Sequence, residues 1–408
     1  MKKIFLLALL PCFQLGFAAG FESTKVLPKG IRNFSLTNIS TSINTKRKND
    51  GSIVPLSEPL SKDLRFSDLI KTESGMKKKK IEALLLIENS LSTETPIGKF
   101  TADMEGAIAV TASIFAYGVT DRLTLAIAVP YYRARTRTNI GFIHEPAAQD
   151  FVDALSDKET NSVANAREAA INLNKLTAKL KEKLDDNGYQ SLGSWENQGI
   201  GDMTLAAKYL AIDQEHFKFA ISGGLVFPTG RKDDPDNLVD LPFGDGQGDA
   251  FIGLVFDQPL TSGFFLNEFF KYTYQSPGEK PMRIKTTQES LEVPVKETQF
   301  KLGDKWELMT SVQYEGSSGL QAGLGWQYQH KWRDRILSRD LTDVGELEKD
   351  SSLYSRYQMM MLGYSTVSAY QKGEFLAPLM VSLEYQKQYA GKNIPITHFT
   401  QLNLKLYF

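Results

Sequence analysis

The chain has 408 residues and carries 47 Lys and Arg against 48 Asp and Glu, a formal charge of −1, so it lacks the basic excess of a nucleic-acid binder. Its single cysteine, Cys12, lies near the N-terminus, which leaves the body of the chain without a disulfide framework, a thiol nucleophile or a thiolate metal site. No cofactor is expected.

Residues 1–20 read as a secretory signal: Lys2 and Lys3 precede the apolar stretch Ile4 to Leu10, and small residues follow at Ala18-Ala19-Gly20. A lipoprotein signal ending at Cys12 is disfavoured, because Pro11 stands where a small residue is wanted. Removing the signal leaves 388 residues with 45 basic and 48 acidic side chains. No run of 18 apolar residues remains to form a spanning helix. A length of this order is generous for one soluble domain but suits a membrane β-barrel with long loops, so residues 21–408 are expected to form one such unit.

In chain order, the first strand candidate is Ile31 to Asn44. Ile81 to Leu91 competes with it, but Ile81, Leu84, Leu85, Glu88 and Leu91 repeat at helical spacing behind four lysines. Five hairpins then follow. Met104 to Tyr117 and Leu123 to Thr138 flank the turn Gly118 to Arg122; Thr204 to Ala211 and Phe217 to Phe227 flank Asp213-Gln214-Glu215. Ala250 to Phe256 and Phe264 to Gln275 flank Thr261-Ser262-Gly263; Trp306 to Tyr314 and Leu320 to Trp332 flank Gly316 to Gly319; Tyr354 to Tyr370 and Phe375 to Tyr389 flank Lys372-Gly373. The terminal strand alternates cleanly, with His398, Thr400, Leu402, Leu404, Leu406 and Phe408 on one face and Gln401, Asn403, Lys405 and Tyr407 on the other. A closed barrel with both ends in the periplasm needs an even count, and these segments give twelve. The predicted fold is all-β, an antiparallel up-and-down transmembrane barrel with helical insertions in long extracellular loops, placed in a bacterial outer membrane.

The strand from Leu123 checks the membrane geometry. Nine residues from Leu123 to Tyr131, at about 3.3 Å each and tilted near 40°, rise roughly 23 Å, close to an apolar band of about 25 Å. Arg133, Arg135 and Arg137 continue on the same outer face, at the level of lipopolysaccharide phosphates, for which the guanidinium fork is suited. Expected partners are therefore the lipid bilayer, lipopolysaccharide and, through Leu402, Leu404, Leu406 and the terminal Phe408, whose pattern resembles an outer-membrane sorting signal, the barrel-assembly machinery. Glu268 interrupts the apolar face of Leu266, Phe270, Tyr272 and Tyr274, and a bulge turning it inward is the expected resolution.

With short turns in the periplasm, the long connections lie outside: 45–99, 139–199, 229–247, 277–298 and 334–352. In the second, Ala166, Ala169, Leu173, Leu176, Leu180 and Leu184 mark an amphipathic helix; Thr160 to Asp186 would span about 40 Å, enough to cross the barrel mouth. In the third, Asp233, Asp234 and Asp236 offer hard oxygen ligands for Ca²⁺, although turn chemistry alone also accounts for them.

The face opposite the apolar stripe assigns Asp202, Lys208, Lys218, Asp249, Asp257, Asn267, Lys271, Lys305, Glu307, Gln313, Gln327, Glu384, Gln386, Gln401, Asn403 and Lys405 to the lumen. Ala107, Ala109, Thr111, Ser113, Thr124, Ala126 and Ala128 are assigned inward as well. Both charge signs appear, so strong ion selectivity is not expected. Eight strands fill their own interior and sixteen leave a wide channel, so twelve point to a narrow conduit for small solutes. The alternative is a structural or adhesive barrel with a plugged lumen. An enzyme is not expected: His330 and His398 lie on outward faces without a distinctive Ser or Asp pattern.

Four short segments, Tyr117-Gly118-Val119-Thr120-Asp121-Arg122-Leu123, Gly199-Ile200-Gly201-Asp202, Phe227-Pro228-Thr229-Gly230 and Gly246-Gln247-Gly248-Asp249, together resemble the outer-membrane family named for the meta-pathway of phenol degradation. The resemblance implies a β-barrel and a transporter-like role, with hydrophobic or aromatic solutes as the hinted cargo.

Overall fold

The computed structural model describes residues 20–408 apart from 73–74, 76–77, 80–81, 83–84, 86–91, 146–174, 191, 285–293 and 338–343. The expected signal thus lies almost wholly outside the described residues, as do residues 160–174 of the predicted helix from Thr160 to Asp186.

Twelve antiparallel strands close into a barrel. They are β1 (Arg32–Ile43), β2 (Pro96–Thr120), β3 (Leu123–His144), β4 (Met203–Gln214), β5 (Phe217–Phe227), β6 (Asp249–Thr261), β7 (Phe264–Gln275), β8 (Lys305–Glu315), β9 (Leu320–Lys331), β10 (Leu353–Ser365), β11 (Leu379–Lys392) and β12 (His398–Tyr407). Closure is made by β1, which pairs with β12 from Asn33↔Tyr407 to Ser40↔Thr400 and with β2 from Arg32↔Tyr117 to Ile43↔Gly106. Every strand thereby has two neighbours, which satisfies backbone polarity where no water is present. Ile31 to Asn44 is indeed the first strand. Among the described residues no helix is long and apolar enough to cross a membrane.

The outer wall carries the apolar stripe. Leu324 and Leu362, each 61 % exposed, face outward with Leu125, Ile127, Leu308, Leu383 and Leu404, an exposure tolerable only against hydrocarbon. Aromatic girdles bound the stripe: Phe264 against Tyr314 (4.8 Å) and Phe115 against Phe408 (6.5 Å) at the end with the short turns, and Trp306 against Tyr328 (4.9 Å) at the other. His330 sits in that second girdle, 5.9 Å from Trp306 and 5.5 Å from Trp332. The eight residue steps on β8 from Tyr314 to Trp306 rise about 20 Å at a 40° tilt.

Several local expectations change. Glu268 stays outward, opposite Phe256 and Thr310, with no register shift beside it, so the bulge is absent. The turn between β10 and β11 is longer than expected, because the strand ends at Ser365 and a short helix, Val367–Gln371, follows. β2 and β3, at 25 and 22 residues, run well past the apolar band. The segment Trp195–Ile200 pairs with the outer part of β3, from Tyr131↔Ile200 to Thr136↔Trp195, and is separated from β4 by a break at Gly201-Asp202.

The inner face of β2 is also reversed. Ala107, Ala109, Thr111 and Ser113 face outward, while Ile108, Val110, Ala112, Ile114 and Ala116 face the interior. The register shift at Gly118/Thr120 sets this parity, and it places Tyr117 and Phe115 outward beside Leu125 and Ile127. An apolar inner face is stable there because the outer half of the lumen holds packed loop side chains rather than water.

Candidate functional site: the lumen and its two plugs

Residues 20–29, which have no regular secondary structure, enter the barrel and lie along its inner wall. The wall holds this strap by polar groups from widely separated strands. Lys208 Nζ donates to the Glu22 carboxylate (2.9 Å) and to the Ser23 carbonyl (3.0 Å), and Gln313 Nε2 donates to the Glu22 carbonyl (3.0 Å). The Thr24 N–H and hydroxyl both donate to Asp257 Oδ2, at 2.8 and 2.6 Å, while Asn267 Nδ2 holds the other oxygen at 2.6 Å. Lys25 pairs with Glu315 at the rim. The Phe21 ring lies over Gly323 and Gly325 of β9, where a Cβ on Gly323 would come within 2.7 Å of it.

The strap leaves through the β2–β3 turn. Leu27 N–H donates to Thr124 Oγ1 (2.7 Å), Lys29 N–H to Asp121 Oδ1 (3.0 Å), and Gly30 N–H to the Gly118 carbonyl (2.8 Å). A Cβ at Gly118 would lie 2.0 Å from the Pro28 carbonyl oxygen, so this position admits only glycine while the strap is seated.

A second body closes the outer half. Beyond Phe227 the chain turns inward at Pro228-Thr229-Gly230, and Leu238, Val239, Leu241 and Phe243 pack with Leu56, Leu60, Leu184, Tyr189 and Leu192 against Ile43, Met104, Ile108 and Tyr132 of the wall. The helix Leu176–Asp186 contributes Leu184 to this core, so the described part of the predicted insert packs into the mouth. Thr136 Oγ1 donates to the Val239 carbonyl (2.6 Å), and Tyr132 stacks on Phe243 at 5.4 Å. Arg231 grips Asp240 with two N–H groups (2.7 and 2.5 Å) and lies over Trp195 at 5.2 Å. Burial and the Asp233 carboxylate push Asp240 up to about 7, against the opposing pull of Arg231.

The glycine-rich segments fasten this cap to the wall. Gly230 N–H donates to Asp202 Oδ1 (2.8 Å), Thr229 Oγ1 donates to the Gly201 carbonyl (2.8 Å) and accepts from Met203 N–H (3.0 Å). Gly244 must be small because a Cβ there would lie 2.4 Å from Asp202 Oδ1. At the far end of the loop, Gln247 is fully buried and donates to the Ser276 carbonyl, while its Oε1 accepts from Leu302 N–H (3.2 Å). Three of the four motifs therefore form the seat of the cap, and the fourth receives the strap.

Beneath the cap and alongside the strap lies a cavity of about 1450 Å³ that reaches the short-turn rim at Gly316, Tyr370 and Ala377. Asp202, Lys208, Asp249, Lys271, Lys305, Glu307, Glu384 and Lys405 line it, with Lys271 and Glu307 paired at 3.2 Å. Asp257, Asn267 and Gln327 are buried on the inner wall, the first two behind the strap. Lys218 instead sits at the rim, 41 % exposed and paired with Asp213 at 2.6 Å. Thr124, Ala126 and Ala128 line the cavity, whereas the four small β2 residues assigned inward do not.

The three carboxylates of the acidic loop turn to separate partners. Asp233 lies 3.8 Å from Lys280, Asp234 accepts from Gln190 Nε2 (2.8 Å), and Asp236 pairs with Arg283 (2.6 Å). Among the described residues no three metal-ligating side chains converge. Each carboxylate already has its own donor, which is what holds the loop in its turn.

None of the curated proteins matches the sequence closely enough to count as a relative. Among solved structures, an outer membrane channel from Pseudomonas putida F1 superposes with a TM-score of 0.53 at 12 % identity, over 96 % of this chain and 100 % of that one. It shares the barrel fold. The toluene transporter TbuX of Ralstonia pickettii aligns over 93 % of this chain and 89 % of its own, at 9 % identity and a TM-score of 0.34. The family described as "Putative MetA-pathway of phenol degradation" matches residues 88–335, which include all four motifs. With a closed membrane barrel and those motifs seating its two plugs, the chain belongs to that family.

Proposed function

We propose that this protein is an outer-membrane channel or transporter for small, hydrophobic or aromatic solutes, and not an enzyme. The observation that carries the reading is the cavity of about 1450 Å³ inside a membrane-spanning wall, bounded by two bodies that are tethered rather than woven into the sheet. Ile39, Ile114, Ala116, Ala126 and Ala128 give it an apolar side, and its lysines face carboxylates, so neither ion sign is favoured. The P. putida barrel of similar fold is itself called an outer membrane channel, which supports the same reading here. Liposome swelling tests it: vesicles holding the purified protein swell in small neutral solutes faster than empty vesicles, and equal rates would refute it.

The plugged, structural alternative is favoured by one observation, the apolar loop core in the outer half. Swelling separates the two, because a sealed barrel admits nothing.

Export of the chain is assigned to residues 1–20 as a cleaved signal, and insertion to recognition of Leu402, Leu404, Leu406 and Phe408 by the assembly machinery. Lipopolysaccharide is the proposed outer-leaflet partner of Arg133, Arg135 and Arg137. The first two border an outer-wall groove of about 510 Å³ with Ser40, Ser42 and His398; Arg133 lies over the Tyr131 ring at 6.0 Å, and Arg137 is 3.8 Å from Glu105.

A further inference from the structure

We infer that Gln386 and Gln401 form a hydrogen-bonding subsite in the lumen wall for the hydroxyl of a neutral, otherwise apolar solute. The inference rests on the channel reading and narrows its cargo. The two side chains project into the cavity from adjacent strands, β11 and β12, where Gln386 is opposite Phe399 and Gln401 is opposite Glu384. Diagonal inward neighbours of this kind stand about 7–8 Å apart, within joint reach of one small polar group between two long side chains.

The polar groups around them are mutually satisfied. Asn403 Nδ2 donates to Glu384 Oε1 (2.8 Å) and Ser382 Oγ (3.0 Å), which fixes its amide so that Oδ1 accepts from Thr37 Oγ1 (2.9 Å) and Gln401 Nε2 (3.1 Å). That orientation leaves Gln401 Oε1 turned free as an acceptor. Gln386 Nε2 is left as a donor, and neither atom has a partner among the described residues, although the two side chains are only 5 % and 2 % exposed. Gln275, Gln327 and Gln388 also keep an amide oxygen unpaired but do not line the cavity; Gln321 does line it, but from β9, with no unpaired donor beside it on β8 or β10 among the described residues.

A buried amide atom without a partner is costly, and one hydroxyl satisfies both, accepting from Gln386 Nε2 and donating to Gln401 Oε1. Apart from these satisfied polar neighbours the pair meets apolar surface: Ile39 is opposite Gln401 on β1, and Phe399, the Tyr357 ring and Met361 line the same stretch. An anion would meet the neighbouring Glu384, and a hydrocarbon would leave both amide atoms dry. A ring or short chain bearing one hydroxyl meets both demands.

The test titrates 2-naphthol and its near-isostere 2-methylnaphthalene into the purified full-length barrel in micelles, corrected for partition into empty micelles. The naphthol is expected to bind at least tenfold tighter. In Gln386→Leu and Gln401→Leu proteins that keep the heat-modifiable gel mobility of a folded barrel, that preference falls at least fivefold and methylnaphthalene binds no more weakly than to the wild-type protein. Equal binding of the two probes to the wild-type protein overturns the inference whether or not the variants fold, and so does an undiminished preference in either folded variant. Binding with the expected preference but no flux in vesicles upholds the subsite and removes the channel reading; flux without the preference does the reverse.

Discussion

Thr24 and Asp257 are 233 residues apart in sequence and are joined twice, through the Thr24 backbone N–H (2.8 Å) and its hydroxyl (2.6 Å). The carboxylate also holds Asn267, so a single side chain of β6 ties the strap to the wall. Replacing Asp257 with Ala leaves three buried donors without their acceptor, at about 1–3 kcal/mol for each unsatisfied group. The strap, which has no ladder to hold it, is expected to leave first. Time-averaged conductance across a planar bilayer should rise severalfold in Asp257→Ala, and an unchanged trace would show that the strap does not obstruct the path.

Gly118→Ala probes the same strap from its exit. The added methyl would overlap the Pro28 carbonyl, so either the strap or the β2–β3 turn must shift, a strain of about 1–3 kcal/mol. The expected outcome is a lowered midpoint in the heat-modifiable gel shift, and no change when the variant is made in a protein lacking residues 21–28. A loss of equal size in both backgrounds would place the strain in the turn itself.

The cap should respond to pH through Asp240. Because its folded value of about 7 lies above the ordinary 3.8, protonation favours the closed cap. That contribution is complete below about 4 and is lost as pH rises through 7. Amide exchange in residues 231–243, corrected for intrinsic rate, should therefore be better protected at pH 5 than at pH 8. Arg231→Met should weaken protection most at pH 8, where the buried carboxylate is left without its cation. Greater protection at pH 8 in the wild-type protein would contradict the sign.

On the outer wall, changing Arg133, Arg135 and Arg137 together to Gln should lower the lipopolysaccharide retained through purification at least severalfold, because these guanidinium groups continue the outward face of β3 just beyond Tyr131. Retention equal to wild type would remove the assignment.

Much of the barrel was legible because alternation is a direct consequence of one face meeting hydrocarbon. The run from Leu402 to Phe408 shows it plainly, and closure alone demanded a strand before Met104. What stayed hidden has a common physical cause: the interior is not uniformly wet. Ile108 and Val110 read as lipid-facing, yet they face loop side chains, and only Phe115 and Tyr117 on the opposite parity signalled it. The strap has no periodicity to read. Its trace in the sequence is indirect, in an inward group such as Lys208, whose partners Glu22 and Ser23 both lie on the strap. The motif glycines were visible, but their reason, the Pro28 carbonyl over Gly118 and Asp202 beside Gly244, exists only once distant segments meet.

The central claim is that a solute path runs through this barrel and is obstructed by tethered plugs. Single-channel recording on purified full-length protein beside the same protein lacking residues 21–28 tests it most directly. The account predicts small, infrequent openings for the full chain and larger, sustained steps without the strap. A barrel that stays silent in both forms while remaining folded in the bilayer would contradict it.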